Sequence, residues 1–353
     1  MRAILGVMFA MGLSGMTACV AAAQPPPDPA AAVASGVALT EADLPAAPLN
    51  TLRVWGDPAM RSVLLGWEAR FAALHPGVRF ENRLMGTDTG MPGLYGGIAD
   101  LALFGRETNV PESDGYLHTF QYPPLGLELM TGSLDVEGKS YAPVLFVAKN
   151  NPLERLTLAE ADRAFGCGQP GQGAPARTWG DLGLTGEWKT RPIHLYTFDL
   201  ATNTGVFFLR RLQGASRKEN WAAIREFRDI ERPDGSIYEA GQQTMDALRA
   251  DPDGLAVSGP QYAESDVKAL LLAAREGSAY VLPTRESLMD RSYPLTRMTY
   301  VFVSRPPGKP MRDLVRQFLL FVYGGEGQHI VAEQHGFLPL TTVEAERQAE
   351  LLR

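Results

Sequence analysis

From Leu52 onward, short apolar runs alternate with amphipathic stretches, the pattern of a sheet wound by crossover helices. Leu52-Arg53-Val54-Trp55-Gly56 reads as the first strand and turn. Val63, Leu64, Trp67, Phe71 and Leu74 then recur at steps of three and four, one apolar helix face that stops at His75-Pro76-Gly77. Arg79-Phe80-Glu81 opens a second strand, Gly86-Thr87-Asp88-Thr89-Gly90 a turn into a helix, and Ala99-Asp100-Leu101-Ala102-Leu103-Phe104 a buried third strand. In open α/β sheets helix N-termini present free N–H groups beyond the carboxyl ends of the strands, so these loops are the natural ligand site.

A second lobe is expected to open with Pro143-Val144-Leu145-Phe146-Val147-Ala148. It contains a helix over 157–165, the turn Thr178-Trp179-Gly180-Asp181-Leu182-Gly183, the strand Pro192-Ile193-His194-Leu195-Tyr196 and a further strand-to-helix turn at 199–205. Arg297-Met298-Thr299-Tyr300-Val301-Phe302-Val303 carries the chain back, and Leu314, Val315, Phe318, Leu319 and Val322 mark a closing amphipathic helix. The expected division is lobe I over 51–142 and 297–345 and lobe II over 143–296.

The chain begins Met1-Arg2, runs through an apolar stretch from Ala3 to Leu13 and reaches Cys19, a secretory signal too short to span a bilayer. Two exits are open: cleavage after Ala21-Ala22-Ala23, or a lipobox at Met16-Thr17-Ala18-Cys19 with Cys19 acylated, which is the favoured one. Residues 1–19 are then signal and lipobox, and 20–50, rich in Ala and Pro, a tether. The expected location is the periplasm, on the outer membrane of a Gram-negative cell because Val20 follows Cys19, or soluble there if cleavage falls after Ala23. Cys167, the other of 2 cysteines, is then single and reads as a buried small apolar residue without chemistry.

At 353 residues with 45% hydrophobic and 21% charged, the chain is neither disordered nor fibrous, and it is long enough for two lobes. A net charge of −7 without long basic runs gives no footprint for nucleic acid. The 5 histidines show no metal-ligand spacing, and there is no Walker or Gly-x-Ser-x-Gly motif and no nucleophile with a base. No enzymatic activity, no metal and no cofactor is expected, and a monomer is.

Several segments then follow one another in a family-like order. Gly86-Thr87-Asp88-Thr89 resembles a Gly-Ser-Gly-Thr loop, Ala99-Asp100-Leu101-Ala102 with Gly105-Arg106 an Ala-Asp-Ile-Ala…Ser-Arg segment, and Asn151-Pro152-Leu153…Leu156-Thr157 an Asn-Pro-x-x-x-Leu-Thr stretch. Thr178–Gly183 is similar to a Trp-x-x-Leu turn, Tyr293-Pro294-Leu295-Thr296-Arg297 to a returning hinge strand, and Gly336-Phe337-Leu338-Pro339-Leu340 to a final Gly-Tyr-x-Pro-Leu. From about Leu52 to Leu340 the chain resembles the PstS-like family, the phosphate-binding subunits of bacterial ABC-type importers. The resemblance implies a type II periplasmic-binding-protein-like α/β fold: two mixed sheets wrapped by helices, a hinge of two crossover strands, a small ligand between the lobes, and an importer permease as partner.

A pocket of that family uses small hydroxyls, glycines and usually an arginine, because a tetrahedral anion needs many short donors. Thr87, Thr89, Thr202 and Thr204 keep hydroxyls, and Arg106 is the candidate cation. Asp57 and Ala59 replace hydroxyls, Asp88 and Asn203 replace glycines, and Phe198 stands where the family has Arg. The resemblance thus marks Asp57, Thr87, Asp88, Thr89, Arg106, Thr202, Asn203 and Thr204 as ligand-binding. Several of them equally suit helix capping, Asp57 before Pro58 among them. The ligand stays open between phosphate or a related oxyanion and a different small ligand, or the fold serves as an accessory or sensor protein without phosphate transport, since Asp57, Asp88, Glu107 and Asp199 face a single expected cation.

Overall fold

The computed structural model describes residues 44–136, 138–167, 173–213, 220–334 and 336–353. The signal and lipobox with Cys19, and the expected tether as far as residue 43, lie outside the described residues.

The chain runs β1 (Thr51–Gly56), α1 (Arg61–Leu74), β2 (Arg79–Arg83), α2 (Gly90–Tyr95), β3 (Leu101–Phe104), α3 (Val110–Phe120) and β4 (Leu125–Thr131). It continues through β5 (Val144–Ala148), β6 (Arg155–Thr157), α4 (Leu158–Phe165), β7 (His194–Phe198), α5 (Asn203–Gln213), β8 (Ile224–Phe227), β9 (Ile230–Glu231) and β10 (Ile237–Tyr238). Then come α6 (Ala240–Arg249), β11 (Gly254–Ser258), β12 (Val267–Ala269), β13 (Leu271–Ala273) and α7 (Arg285–Met289). The chain closes with β14 (Met298–Val303), α8 (Asp313–Tyr323), α9 (Gly325–Glu333) and α10 (Thr342–Glu350).

Two five-stranded mixed sheets organise these elements, one in the order β2-β1-β3-β14-β4 and one in the order β12-β5-β11-β7-β8. In the first, β1 pairs in parallel with β2 and β3, while β14 is antiparallel to β3 and β4. In the second, β11 is parallel to β7 and antiparallel to β5. Burial follows position in the sheet: β3 and β11 are buried at every residue, as strands covered on both faces must be, whereas β2 shows the alternation of an edge. Of the α1 face read from the sequence, Val63, Leu64, Trp67 and Phe71 pack at 1% exposure or less, while Leu74, the last residue of the helix, is exposed. Phe71 meets Phe318 of α8 edge to face at 5.2 Å, a contact worth about 0.5–1.5 kcal/mol beyond its burial.

The chain crosses from the first sheet to the second over 132–143 and returns just before β14. The two crossings touch where Gly132 N–H donates to the Arg297 carbonyl at 2.9 Å. A side chain at Gly132 would stand 2.1 Å from the Ser140 carbonyl of the same crossing, so only glycine lets that crossing fold back on itself here. Residues 44–50, the end of the expected tether, are in place on the first lobe: Leu44 packs against the apolar cluster that includes Met91 and Phe104, and Arg312 Nη2 donates to the carbonyls of Pro48 and Thr51. Cys167 is exposed, not buried as its composition suggested, because it sits beyond the end of α4 rather than on its apolar face. Among the described residues no helix is long and apolar enough to cross a membrane.

Candidate ligand-binding site

A cavity of about 250 Å³ lies between the two sheets, walled by the loops that leave β1 and β7, the crossing at 138–141, the start of α6 and the return crossing. Arg297 enters it from the return crossing. It is 2% exposed, and its guanidinium is held by three kinds of contact: Nη2 donates to the Gly105 carbonyl at 2.9 Å, Nη1 to Thr204 Oγ1 at 3.0 Å, and the plane lies 5.3 Å from the Phe207 ring. Its Nε is buried and has no hydrogen-bond acceptor among the described residues. Burial pulls the guanidinium down to about 10, opposed by the Tyr141 hydroxyl and the carboxylates of Asp57 and Glu107, so it stays charged at neutral pH.

On the first lobe Asp57 fulfils the capping role its sequence context allows. Oδ1 accepts from Ala59 N–H at 2.9 Å ahead of the helical turn Pro58–Met60, and Oδ2 accepts from the Thr87 hydroxyl at 3.2 Å. Gly105 must be glycine here, since a Cβ would stand 2.4 Å from Asp57 Oδ2 and 2.7 Å from Ser140 Oγ. Those two oxygens therefore share the space above Gly105. Ser140 holds φ at 52°, a left-handed conformation costly for a non-glycine residue and typical of positions where geometry serves a site. Next to it, Lys139 Nζ donates to the Ala59 carbonyl at 2.7 Å; burial lowers its pKa and nearby Asp57 raises it.

The second lobe contributes two helix starts. Thr202 Oγ1 accepts from Gly205 N–H at 3.0 Å and donates to the Asp199 carbonyl, capping α5, which leaves Thr204 as the hydroxyl that faces Arg297. At α6, Asp229 Oδ1 accepts from Ala240 N–H at 2.8 Å, and Glu239 accepts from the Tyr262 hydroxyl. Gly241 makes room for this, because a Cβ there would meet the Tyr262 ring at 2.2 Å. Tyr141 lies between, its ring 6.2 Å from that of Tyr262 and 6.4 Å from that of Phe198. Burial pushes both hydroxyls far above the ordinary tyrosine range, and Glu239 adds to the rise at Tyr262, so both stay protonated donors.

Of the residues expected from the sequence, Asp57, Thr202, Asn203 and Thr204 line this cavity, and Thr87, Asp88, Thr89 and Arg106 do not. Arg106 is 3% exposed with every nitrogen engaged: Nη1 and Nη2 take both carboxylate oxygens of Glu112 at 2.8 and 2.9 Å, Nη2 also donates to Asp88 at 2.8 Å, and Nε donates to Asn203 Oδ1 at 3.0 Å. Glu112 is fixed by a capping box with Asn109 at the start of α3. Asp88 is otherwise exposed, and the Thr89 hydroxyl donates to the Gly86 carbonyl. Asn203, the residue that replaces a glycine, joins the lobes: its Oδ1 takes Arg106 Nε and its Nδ2 donates to Thr87 Oγ1 at 3.0 Å. Sequence reasoning passed over Ser140, Tyr141, Asp229, Glu239 and Tyr262, which lie in no motif, and Arg297, whose signal was its place at the end of the hinge-like segment.

The fold is that of the two-lobed periplasmic binding proteins. A PstS from Borrelia burgdorferi superimposes with a TM-score of 0.56 at 15% identity, over 83% of this chain and 100% of that one. An ABC-type phosphate transport receptor from Vibrio cholerae does so with a TM-score of 0.53 at 14% identity, over 82% and 100%. In sequence the chain is similar to a phosphate-binding protein PstS from Pseudomonas aeruginosa, 28% identical over 293 residues, 83% of this chain and 84% of that protein. The PstS-like resemblance read from the ordered motifs thus holds over most of the chain. No protein-family profile matches it.

Proposed function

We propose that the chain is a periplasmic solute-binding protein whose two lobes close on a small oxyanion of the phosphate class and present it to an ABC-type importer. The observation that carries this reading is Arg297, a charged side chain that lines the cavity and whose buried Nε has no acceptor among the described residues. Leaving such a donor unpaired costs about 1–3 kcal/mol or more, and an oxyanion oxygen removes that cost. Thr204 Oγ1 already accepts from Arg297 and keeps its own proton to donate; Ser140 Oγ and the starts of α5 and α6 add donors and positive dipole ends around the same space. Arg297 thereby takes the part left open by Phe198, from the opposite wall. The similarity to a protein named for phosphate binding supports the ligand class and a binder rather than an enzyme.

In this reading lobe I comprises 51–142 and 297–345, lobe II 143–296, and the two crossings form the hinge. The chain works as a monomer, anchored through an acylated Cys19 by way of residues 20–50. Another ligand, or a sensing or accessory role without transport, is favoured by one observation: among the described residues Asp57, Asp229 and Glu239 line the cavity with a single guanidinium. Calorimetry with phosphate, sulfate and molybdate separates these readings. The oxyanion reading predicts binding of at least one anion, weakened about 30-fold or more in Arg297→Met. Equal affinity in that variant would refute it.

A further inference from the structure

We infer that Lys139 is the second cation of the anion site, acting on the bound oxyanion from behind the loop that carries Asp57; this deepens, and rests on, the oxyanion reading above. Gly138 and Ser140 on either side of it line the cavity, while the Lys139 side chain reaches the start of α1 and Phe337 instead. There Nζ donates to the Ala59 carbonyl at 2.7 Å and to Ser62 Oγ at 3.2 Å, and stands 5.5 Å from the centre of the Phe337 ring. A carbonyl, a hydroxyl oxygen and an aromatic face all favour the charged ammonium. None of them carries a counter-charge, and among the described residues Lys139 forms no ion pair.

A half-buried ammonium held only by neutral partners costs stability, so its charge calls for an account. Ala59, whose carbonyl holds Nζ, also donates its N–H to Asp57 Oδ1 at 2.9 Å, so a single residue bridges the ammonium and the carboxylate. On its other side Asp57 Oδ2 shares with Ser140 Oγ the space above Gly105, whose carbonyl accepts from Arg297 Nη2 at 2.9 Å. The carboxylate therefore stands between two cations, and it raises the pKa of both, against the burial that lowers them. With Arg297 alone, Asp57 would cancel the positive charge around Gly105. Lys139 leaves that corner net positive, which an oxyanion needs in order to enter beside a carboxylate.

The test is calorimetry on the full chain with inorganic phosphate, sulfate and molybdate, at low salt and at about 0.5 M salt. Lys139→Arg keeps the charge, Lys139→Gln keeps a donor for the Ala59 carbonyl without the charge, and Lys139→Met keeps neither. For each anion that binds the unaltered chain, affinity at low salt should fall about tenfold or more in both neutral variants and stay within about threefold in Lys139→Arg. The gap between the unaltered chain and Lys139→Gln should narrow at high salt, because screening weakens a charge acting at a distance and leaves a lost loop contact unchanged. Full affinity in Lys139→Gln, a loss that Lys139→Arg shares, or a loss of equal size at both salts overturns the second cation while the oxyanion reading stands. Failure of all three anions to bind the unaltered chain overturns both.

Discussion

Asn203 ties the lobes together at the mouth of the site, and replacing it with alanine should loosen them. Two hydrogen bonds cross there, one from a charged donor (Arg106 Nε) and one to a neutral hydroxyl (Thr87 Oγ1), both at 3.0 Å. A net contribution of about 1.5–3 kcal/mol for the first and about 0.5–1.5 for the second gives an upper bound near 4.5. Opening returns Arg106 Nε to water, so a realistic shift is about 1–3 kcal/mol, or about 5- to 150-fold in the ratio of closed to open molecules. Spin labels at the exposed Asp114 of α3 and Glu187 of the second lobe, with Cys19 and Cys167 replaced by Ser, report that ratio as a distance distribution. The unliganded Asn203→Ala chain should gain a long-distance population that ligand removes. An unchanged distribution would show that the latch does not hold the lobes, refuting the reasoning.

Two further outcomes follow from the structure. Glu68 of α1 is buried against Asn82, and burial raises its carboxyl from 4.5 to about 7, the hydrogen bond from Asn82 opposing the shift. Between about pH 4.5 and 7 the folded chain keeps a proton the unfolded chain has lost, so stability should fall as pH rises through that window and level off above it; thermal melts of Glu68→Gln should lose that slope, and an unchanged slope would count against it. Gly105→Ala drives a methyl group onto Asp57 Oδ2 and Ser140 Oγ, and should lower stability by about 1–3 kcal/mol and abolish anion binding, read by melting and calorimetry together; full binding in this variant would mean the ligand does not sit above Gly105.

Much of the fold was legible because its signals are local or ordered. The α1 face, the buried β3 run and the Thr157 start of α4, confirmed as a capping box with Glu160, each follow from spacing over a few residues. The site was less legible because its charge moved. Phe198 stands where the family resemblance expects an arginine, which left Arg106 as the candidate cation, yet Arg106 is consumed by Glu112, only six residues on and held by a capping box with Asn109. Arg297 compensates from a crossing far along the chain. Nothing in the periodicity says that it turns inward; its contacts with Gly105 of the first sheet and Thr204 of α5, both distant in sequence, do so. The cavity's other acids share this character: Asp229 and Glu239 lie in no motif, and only the fold around the start of α6 brings them to the cavity.

The central claim is that Arg297 Nε receives the ligand's oxyanion, and nitrogen-15 NMR of the arginine side chains reads it directly. Adding an oxyanion that binds, such as inorganic phosphate, should move one Nε–H resonance strongly downfield, slow its exchange with water, and leave that of Arg106 nearly in place; the moved resonance should be missing from Arg297→Met. A titration in which binding is seen but the Arg297 signal stays still, or in which Arg106 moves instead, would contradict the account.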